Sequence, residues 1–326
     1  MKKTLVLLAG CFLLALGCNK SSNPKDAAVQ EDETFTATQR QCAAYDVLQD
    51  QISQDPTLKT RMDAIDEFTR KIAENPQAYR LLPSGIIEIP VVFNVLYRTA
   101  AQNVSQAQLQ SQIDVLNEDY AGTNADHNLT NTYSSVKAGD IGVRFVLSNV
   151  VRKSTTKTSW TTNDAMKKAN QGGIAPTSPT TTLNIWVCNL SGGILGYAQF
   201  PGGSSATDGV VLDDNATGRT GTAAAPFNKG RTATHEVGHW LNLRHIWGDA
   251  TCGNDQVSDT PLHNAANFGC PAAGHLSTCT GTPVEMTMNY MDYTDDACMY
   301  MFSLGQRTRM LAVFASGGPR AGFAQP

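Results

Sequence analysis

The chain has no excess of basic charge. Its 25 lysines and arginines face 29 acidic residues, for a formal net charge of −4. That excludes the basic footprint of a nucleic-acid-binding protein. Long apolar runs are missing too: beyond residue 18 none approaches the roughly 20 residues of a transmembrane helix. Eight cysteines occur, but none of them are paired at CxxC spacing, which argues against a four-cysteine structural zinc. What remains is 41% apolar and 17% charged, a composition that buries a globular core in one large domain or two ordinary ones.

The N-terminus has an export pattern. Lys2 and Lys3 precede an apolar stretch from Leu5 to Leu16, too short to span a bilayer as a mature helix. Leu14-Ala15-Leu16-Gly17-Cys18 has the form of a bacterial lipobox, with Cys18 the expected lipidated residue. Leu8-Ala9-Gly10-Cys11 fits the same letters but leaves too short an apolar region. An exported lipoprotein at the outer membrane or cell surface is expected, with plain secretion as the alternative. Residues 19–34 are polar and aperiodic and read as a flexible tether.

The stretch from Thr234 to His245, THEVGHWLNLRH, holds three of the six histidines. His235 and His239, four apart, share one face of a helix, where two neutral imidazoles reach one zinc at about 2.0–2.1 Å each. Glu236 stands where HExxH hydrolases place a general base. His245, six residues after His239, would lie about 120° around a continued helix. It joins the metal only if the helix stops and the chain turns. Metzincin peptidases make that turn with a glycine in HExxHxxGxxH. This chain has Asn242 there, the residue after glycine most at home in the left-handed conformation.

A second stretch, MNYMDYTDDACMYM from Met288 to Met301, resembles the metzincin Met-turn. With HEVGHWLNLRHIWGD it is similar to the pappalysin family, bacterial secreted members (ulilysin-like) in particular, from about Ile89 to Phe314. The resemblance implies a zinc-dependent endopeptidase in which Met291 packs beneath the metal and Tyr293 stabilises the oxyanion. It implies an edge strand over Ile194–Phe200 that binds substrate by strand pairing, through Ile194, Leu195, Gly196 and Tyr197. It also implies that Arg40-Gln41-Cys42 is a cysteine switch, the Cys42 thiolate closing the metal's open position. Asp295 and Asp296 would lie near a pocket wall that favours basic residues. Zymogen synthesis follows, with residues 35–83 a helical pro-segment and residues 84–326 the catalytic domain.

The rest of the chain reads as α/β (α+β): a twisted mixed sheet with backing helices and an irregular, disulfide-stapled lower subdomain. Ala43–Leu48 and Lys59–Ile72 have helical spacing in a segment too short and polar for its own core. Ile86–Tyr97, Ile141–Val150, Leu183–Leu190 and Asp208–Asp213 read as strands. Ser105 caps a helix to about Tyr120. Asn228 is expected to cap the zinc helix over Gly230–Leu243, and Ser303 with Gln306 forms a capping box for the last helix.

Cys252, Cys270, Cys279 and Cys298 fall in the poorly cored region 246–302 and allow three pairings. The family resemblance suggests Cys252–Cys279 with Cys270–Cys298. Cys188, in a strand, reads as a buried free thiol. Asp249, Asn254, Asp255 and Asp259 offer hard oxygen ligands that suit calcium, Asp255 and Asp259 foremost; a solvated acidic loop is the alternative. Asp259 also competes with His245 as third zinc ligand. The partners expected are a protein or peptide substrate, no nucleic acid and a membrane only through the lipid, and the chain is expected to be monomeric. The rival function is a surface-anchored, zinc-containing binding protein without turnover.

Overall fold

The computed structural model describes residues 37–75 and 85–324. Cys18, the signal region, the tether and the expected boundary at residues 83 and 84 lie outside them. Among the described residues no helix is long and apolar enough to cross a membrane.

Two helices come first: α1 (Ala44–Gln54) and α2 (Thr57–Glu74). On α2, Leu58, Met62, Thr69 and Ile72 recur at three-to-four-residue spacing and are buried, while ion pairs such as Lys59–Asp63 line the outer face. There follow β1 (Ile87–Tyr97), α3 (Gln106–Ala121), β2 (Val143–Ser154), β3 (Leu183–Cys188), β4 (Gly196–Ala198), β5 (Val210–Asp213), α4 (Arg231–Trp240) and α5 (Leu304–Ala312). The Ser105 cap of α3 and the Ser303/Gln306 capping box of α5 form as their letters suggest.

The five strands make one mixed sheet in the order β2-β1-β3-β5-β4. All neighbours are parallel except β4, which runs antiparallel to β5 at the edge. Period-two alternation sends Ile185 and Val187 to one face and Trp186 and Cys188 to the other. The first face packs on α3 and α4 in the main core. The second packs on Ala44, Val47, Leu48, Leu58 and Met62 of α1 and α2, together with Trp160, Leu190 and Phe200. The N-terminal helices, with no core of their own, use the back of the sheet. Each such side chain contributes about 1.5–3 kcal/mol when fully buried.

Below the sheet edge, residues 246–302 contain neither helix nor regular strand. Disulfides Cys252–Cys279 and Cys270–Cys298 cross-link it. Cys188 is a buried free thiol and Cys42 is the other unpaired cysteine among the described residues.

The strand read over Ile141–Val150 spans Val143–Ser154, and the expected zinc helix ends at Trp240 rather than Leu243; two further differences touch the site. The edge strand is three residues rather than seven, because Pro201 and Gly202 turn the chain away and only Gly196–Ala198 pairs with β5. Asn228 is not the cap of α4. Gly230, in the left-handed conformation at φ 76°, precedes the helix without a side-chain cap.

Candidate active site and metal centre

α4 carries His235, Glu236 and His239, all buried. It stops after Trp240 in a Schellman motif: Leu243 N donates to Gly238 O at 2.9 Å and Asn242 N to His239 O at 2.9 Å. Asn242 takes the left-handed position, φ 73°, and the turn swings His245 back. The Asn242 carbonyl is held by Arg309 Nε of α5 at 2.6 Å. The Asn242 side-chain Nδ2 is buried with no hydrogen-bond partner among the described residues. Asn242→Gly should therefore remove both the left-handed penalty and an orphaned amide, which together outweigh glycine's extra chain entropy. The expected gain is about 1 kcal/mol, or roughly 2–4 °C in thermal midpoint for a chain of this size. A lower midpoint by calorimetry would mean that the amide has a partner in solution.

The three rings converge. His239 Nε2 lies 3.1 Å from both His235 Nε2 and His245 Nε2. Each Nδ1 faces an oxygen: His235 meets Tyr290 O at 2.7 Å, His239 meets Leu243 O at 2.8 Å and His245 meets Asp249 Oδ1. The Nδ1 atoms thus carry the protons, and three Nε2 lone pairs point at one place, an arrangement that repels itself unless a cation sits there. Nitrogens about 2.0–2.1 Å from a tetrahedral zinc stand roughly 3.3 Å apart, so the residues fit. Burial, then the neighbouring imidazoles, push His235 and His239 well below the ordinary histidine range. Those two rings are therefore neutral, as a metal requires. Trp247 stacks on His245 with ring centres 4.3 Å apart. With Asp249, it fixes that ring from outside the triad.

Cys42 completes the cluster: its sulfur and the three imidazole nitrogens all lie within 4.8 Å of one another. Cys42 Sγ is 3.3 Å from Glu236 Oε2. Burial pushes the Glu236 carboxyl up to about 8, with Cys42 and Arg40 partly offsetting it. Gly196 leaves room for this side chain, since a Cβ there would come within 3.0 Å of Glu236 Cγ. The segment around Cys42 lies along β4 in parallel sense. Leu195 N donates to Gln41 O at 2.9 Å and Ala43 N to Gly196 O at 3.1 Å. Tyr293 Oη donates to Cys42 O at 2.9 Å and faces Cys42 N at 3.3 Å. Met291 passes beneath α4, where a Cβ on Gly238 would come within 2.5 Å of its sulfur.

Asp296 is fully buried and pairs with Arg40 at 2.6 Å. Arg40 also donates to Thr232 Oγ1 and Thr294 O, and its guanidinium lies 5.1 Å from the Phe227 ring centre. Asp295 is only half-buried, and Arg40 and Asp296 both act on its carboxyl through space. Arg40 and Asp296 were each expected near the site, but their pairing is a feature the sequence did not disclose, because they stand 256 positions apart. Arg309 has no local signature in the sequence.

Other expected site residues are not brought together. Asp249 orients His245, and Asn254 Oδ1 accepts from Gln256 N. Asp255 accepts from Val257 N and Thr260 Oγ1. Asp259 accepts from Ser303 Oγ and Gly305 N at the start of α5. Among the described residues only Cys42, His235, His239 and His245 bring metal-ligating side-chain atoms together; Asp255 and Asp259 stand in separate local bonds, and Asp259 is no rival to His245. Of the substrate-binding residues expected on the edge strand, Leu195 and Gly196 present backbone to the cleft. Tyr197 turns away, its hydroxyl 3.0 Å from Asp164 Oδ1, and Ile194 packs partly buried on the rear core.

A helix with two histidines, a left-handed turn to a third and a methionine underneath define a metal-dependent peptidase of the metzincin class. The comparisons narrow this. The peptidase M43 profile, described as pregnancy-associated plasma protein-A, matches residues 179–315. Extracellular metalloprotease 1 of Coccidioides posadasii is 34% identical over 240 residues, 70% of this chain and 77% of that one. A mutant of Tannerella forsythia promirolysin superposes with a TM-score of 0.78 at 40% identity, over 87% of this chain and 97% of its own. Mature T. forsythia mirolysin with a cleaved peptide gives 0.71 at 44%, over 74% and 96%. The chain belongs to the pappalysin family, peptidase M43, and is a metalloendopeptidase.

Proposed function

We propose that the protein is an exported endopeptidase made as a latent precursor, with zinc held by His235, His239 and His245. The observation that carries this is the convergence of three Nε2 lone pairs whose Nδ1 protons are already committed. Bound there, zinc would supply a water of lowered pKa and an electrophile for the scissile carbonyl. The chain's own residues do the rest. Glu236 takes the water's proton at its carboxylate and delivers it to the leaving amine. Tyr293 Oη, released from the Cys42 carbonyl, donates to the developing oxyanion. The Leu195 N and Gly196 O groups, now paired with Gln41 and Ala43, pair instead with the substrate backbone, and Met291 supports the floor of the site.

Latency rests on Cys42 in the cleft and Arg40 on Asp296. The wider match to a pro-form, 87% of this chain against 74% for a mature form, supports reading the segment up to residue 83 as the part that is removed. Once Arg40 leaves, Asp296 is a buried carboxylate open to a basic side chain, which supports a preference for arginine or lysine beside the cut. Export is supported by relatives named as extracellular proteases, and Cys18 is the proposed lipid attachment. We propose a monomer acting on protein or peptide substrates.

The test is zinc analysis of the precursor and of its processed form, followed by digestion of a proteome-derived peptide library. One zinc per chain and cuts clustered beside arginine or lysine are expected. A processed, zinc-loaded protein that cuts nothing would mean a binding protein, and cuts without basic bias would remove Asp296 from the specificity pocket.

A further inference from the structure

Behind the metal centre, α2 makes one contact unlike its others. Asp66 reaches two arginines of the catalytic unit: Arg244 Nη2 at 2.7 Å and Arg309 Nη2. Arg309 is almost fully buried and Arg244 about one-third exposed. Burial alone would raise the Asp66 carboxyl, yet the two guanidiniums hold it below its ordinary range. Among the described residues neither arginine is hydrogen-bonded to any other carboxylate. Asp255 acts on Arg309 only through space. Asp66 and Arg309 line a groove of about 460 Å³ between α2 and α5, with Val257 and Gly305 on its other wall.

We propose that Arg244 and Arg309 form a carboxylate-binding site on the catalytic unit. Asp66 fills it in the precursor, and an acidic side chain of a protein substrate takes it once α2 has left. The chemistry favours this occupant. Two planar guanidiniums converging on one point match the two oxygens of a carboxylate. Arg309 cannot swing into solvent, because its Nε is committed to the Asn242 carbonyl. Removing α2 therefore uncovers a guanidinium that is fixed in place and has lost its hydrogen-bonded counter-ion, ready to take another carboxylate. The part concerning substrate rests on the proposed loss of residues 35–83; the site itself does not.

Two experiments separate these parts. In the full-length precursor, Asp66→Ala should lower the thermal midpoint, and acetate, compared with chloride at equal ionic strength, should recover part of the loss. Acetate should do nothing for wild type or for Asp66→Ala/Arg244→Gln. Acetate acting alike on all three, or on none, overturns the carboxylate site. In the processed protein, Arg244→Gln should raise KM for an acidic unstructured protein roughly tenfold, the scale of one charge-assisted hydrogen bond. Its kcat, and both constants for a short peptide without acidic residues, should stay unchanged. A KM rise for both substrates, or for neither, overturns the substrate role. If wild type cleaves neither substrate, the endopeptidase reading fails while the acetate result still decides the site.

Discussion

Glu236→Gln should lower kcat for peptide cleavage by about 10²- to 10⁴-fold, the range for loss of a positioned general base. The substitution is nearly isosteric and leaves His235, His239 and His245 in place, so zinc content should not change. The side chain is almost fully buried beside Gly196, and glutamine fits the same space without a charge. Stability moves in the opposite direction from activity. In the metal-free precursor, burial raises the Glu236 carboxyl from an ordinary 4.5 to about 8. The folded state therefore binds a proton that the unfolded chain has lost, and stability falls as pH rises between those two values. Glutamine has no such term. The midpoint of metal-free Glu236→Gln should exceed that of wild type by a margin that grows from pH 5 to pH 8. A cleavage rate within a few-fold of wild type would place the base elsewhere, and a margin independent of pH would mean that Glu236 is already charged in the fold.

Cys42→Ala should make the unprocessed precursor active. The thiol is tethered next to the three imidazoles, where the effective concentration of an intramolecular group is in the millimolar range or above. Alanine offers no ligand atom. Arg40 and its hydrogen bonds remain, so release is incomplete: roughly a tenfold rise in initial rate for each 1.4 kcal/mol of binding lost. Arg40→Ala leaves the sulfur in place but empties the Asp296 pocket, and the double variant should exceed either single one. Rates must be taken before the chain shortens on a gel. If the Cys42→Ala precursor is as silent as wild type, latency belongs to Arg40 and the helices rather than to the sulfur.

How much of this was readable in the letters depends on distance along the chain. The triad was legible because His235, Glu236 and His239 share one helix face and a single left-handed residue brings in His245; everything needed lies within eleven positions. Asn242 could be accepted in the glycine's place on conformational grounds, and it occupies the expected left-handed turn. The strands were legible from apolar runs, the helices from spacing and caps. The Arg40–Asp296 pair and the Arg309 bond to Asn242 were not, since long-range contacts between charged residues leave no periodic trace. The acidic run Asp249–Asp259 is hard to read for a related reason: composition counts oxygens but not the N–H and O–H groups that Asp255 and Asp259 accept from in the fold. Likewise a strand was read over Ile194–Phe200 where the backbone supports three paired residues.

The six cysteines of the described residues pose a sorting problem. Four must lose their hydrogens and pair, while Cys42 has to keep a free sulfur in the same oxidising surroundings. A thiol exchanges through its thiolate. Burial pushes both Cys42 and Cys188 well above the ordinary thiol range in the metal-free chain, and neither sulfur is bonded to another cysteine. Correct pairing therefore depends on order in time: the segment around Cys42 has to reach the cleft before oxidation reaches its sulfur. A chain that oxidises first has four wrong mates competing for each bridging cysteine, and can lose the Cys42 sulfur to a wrong bridge. On the proposed latency, the residue that would silence the active site must itself be sheltered by it.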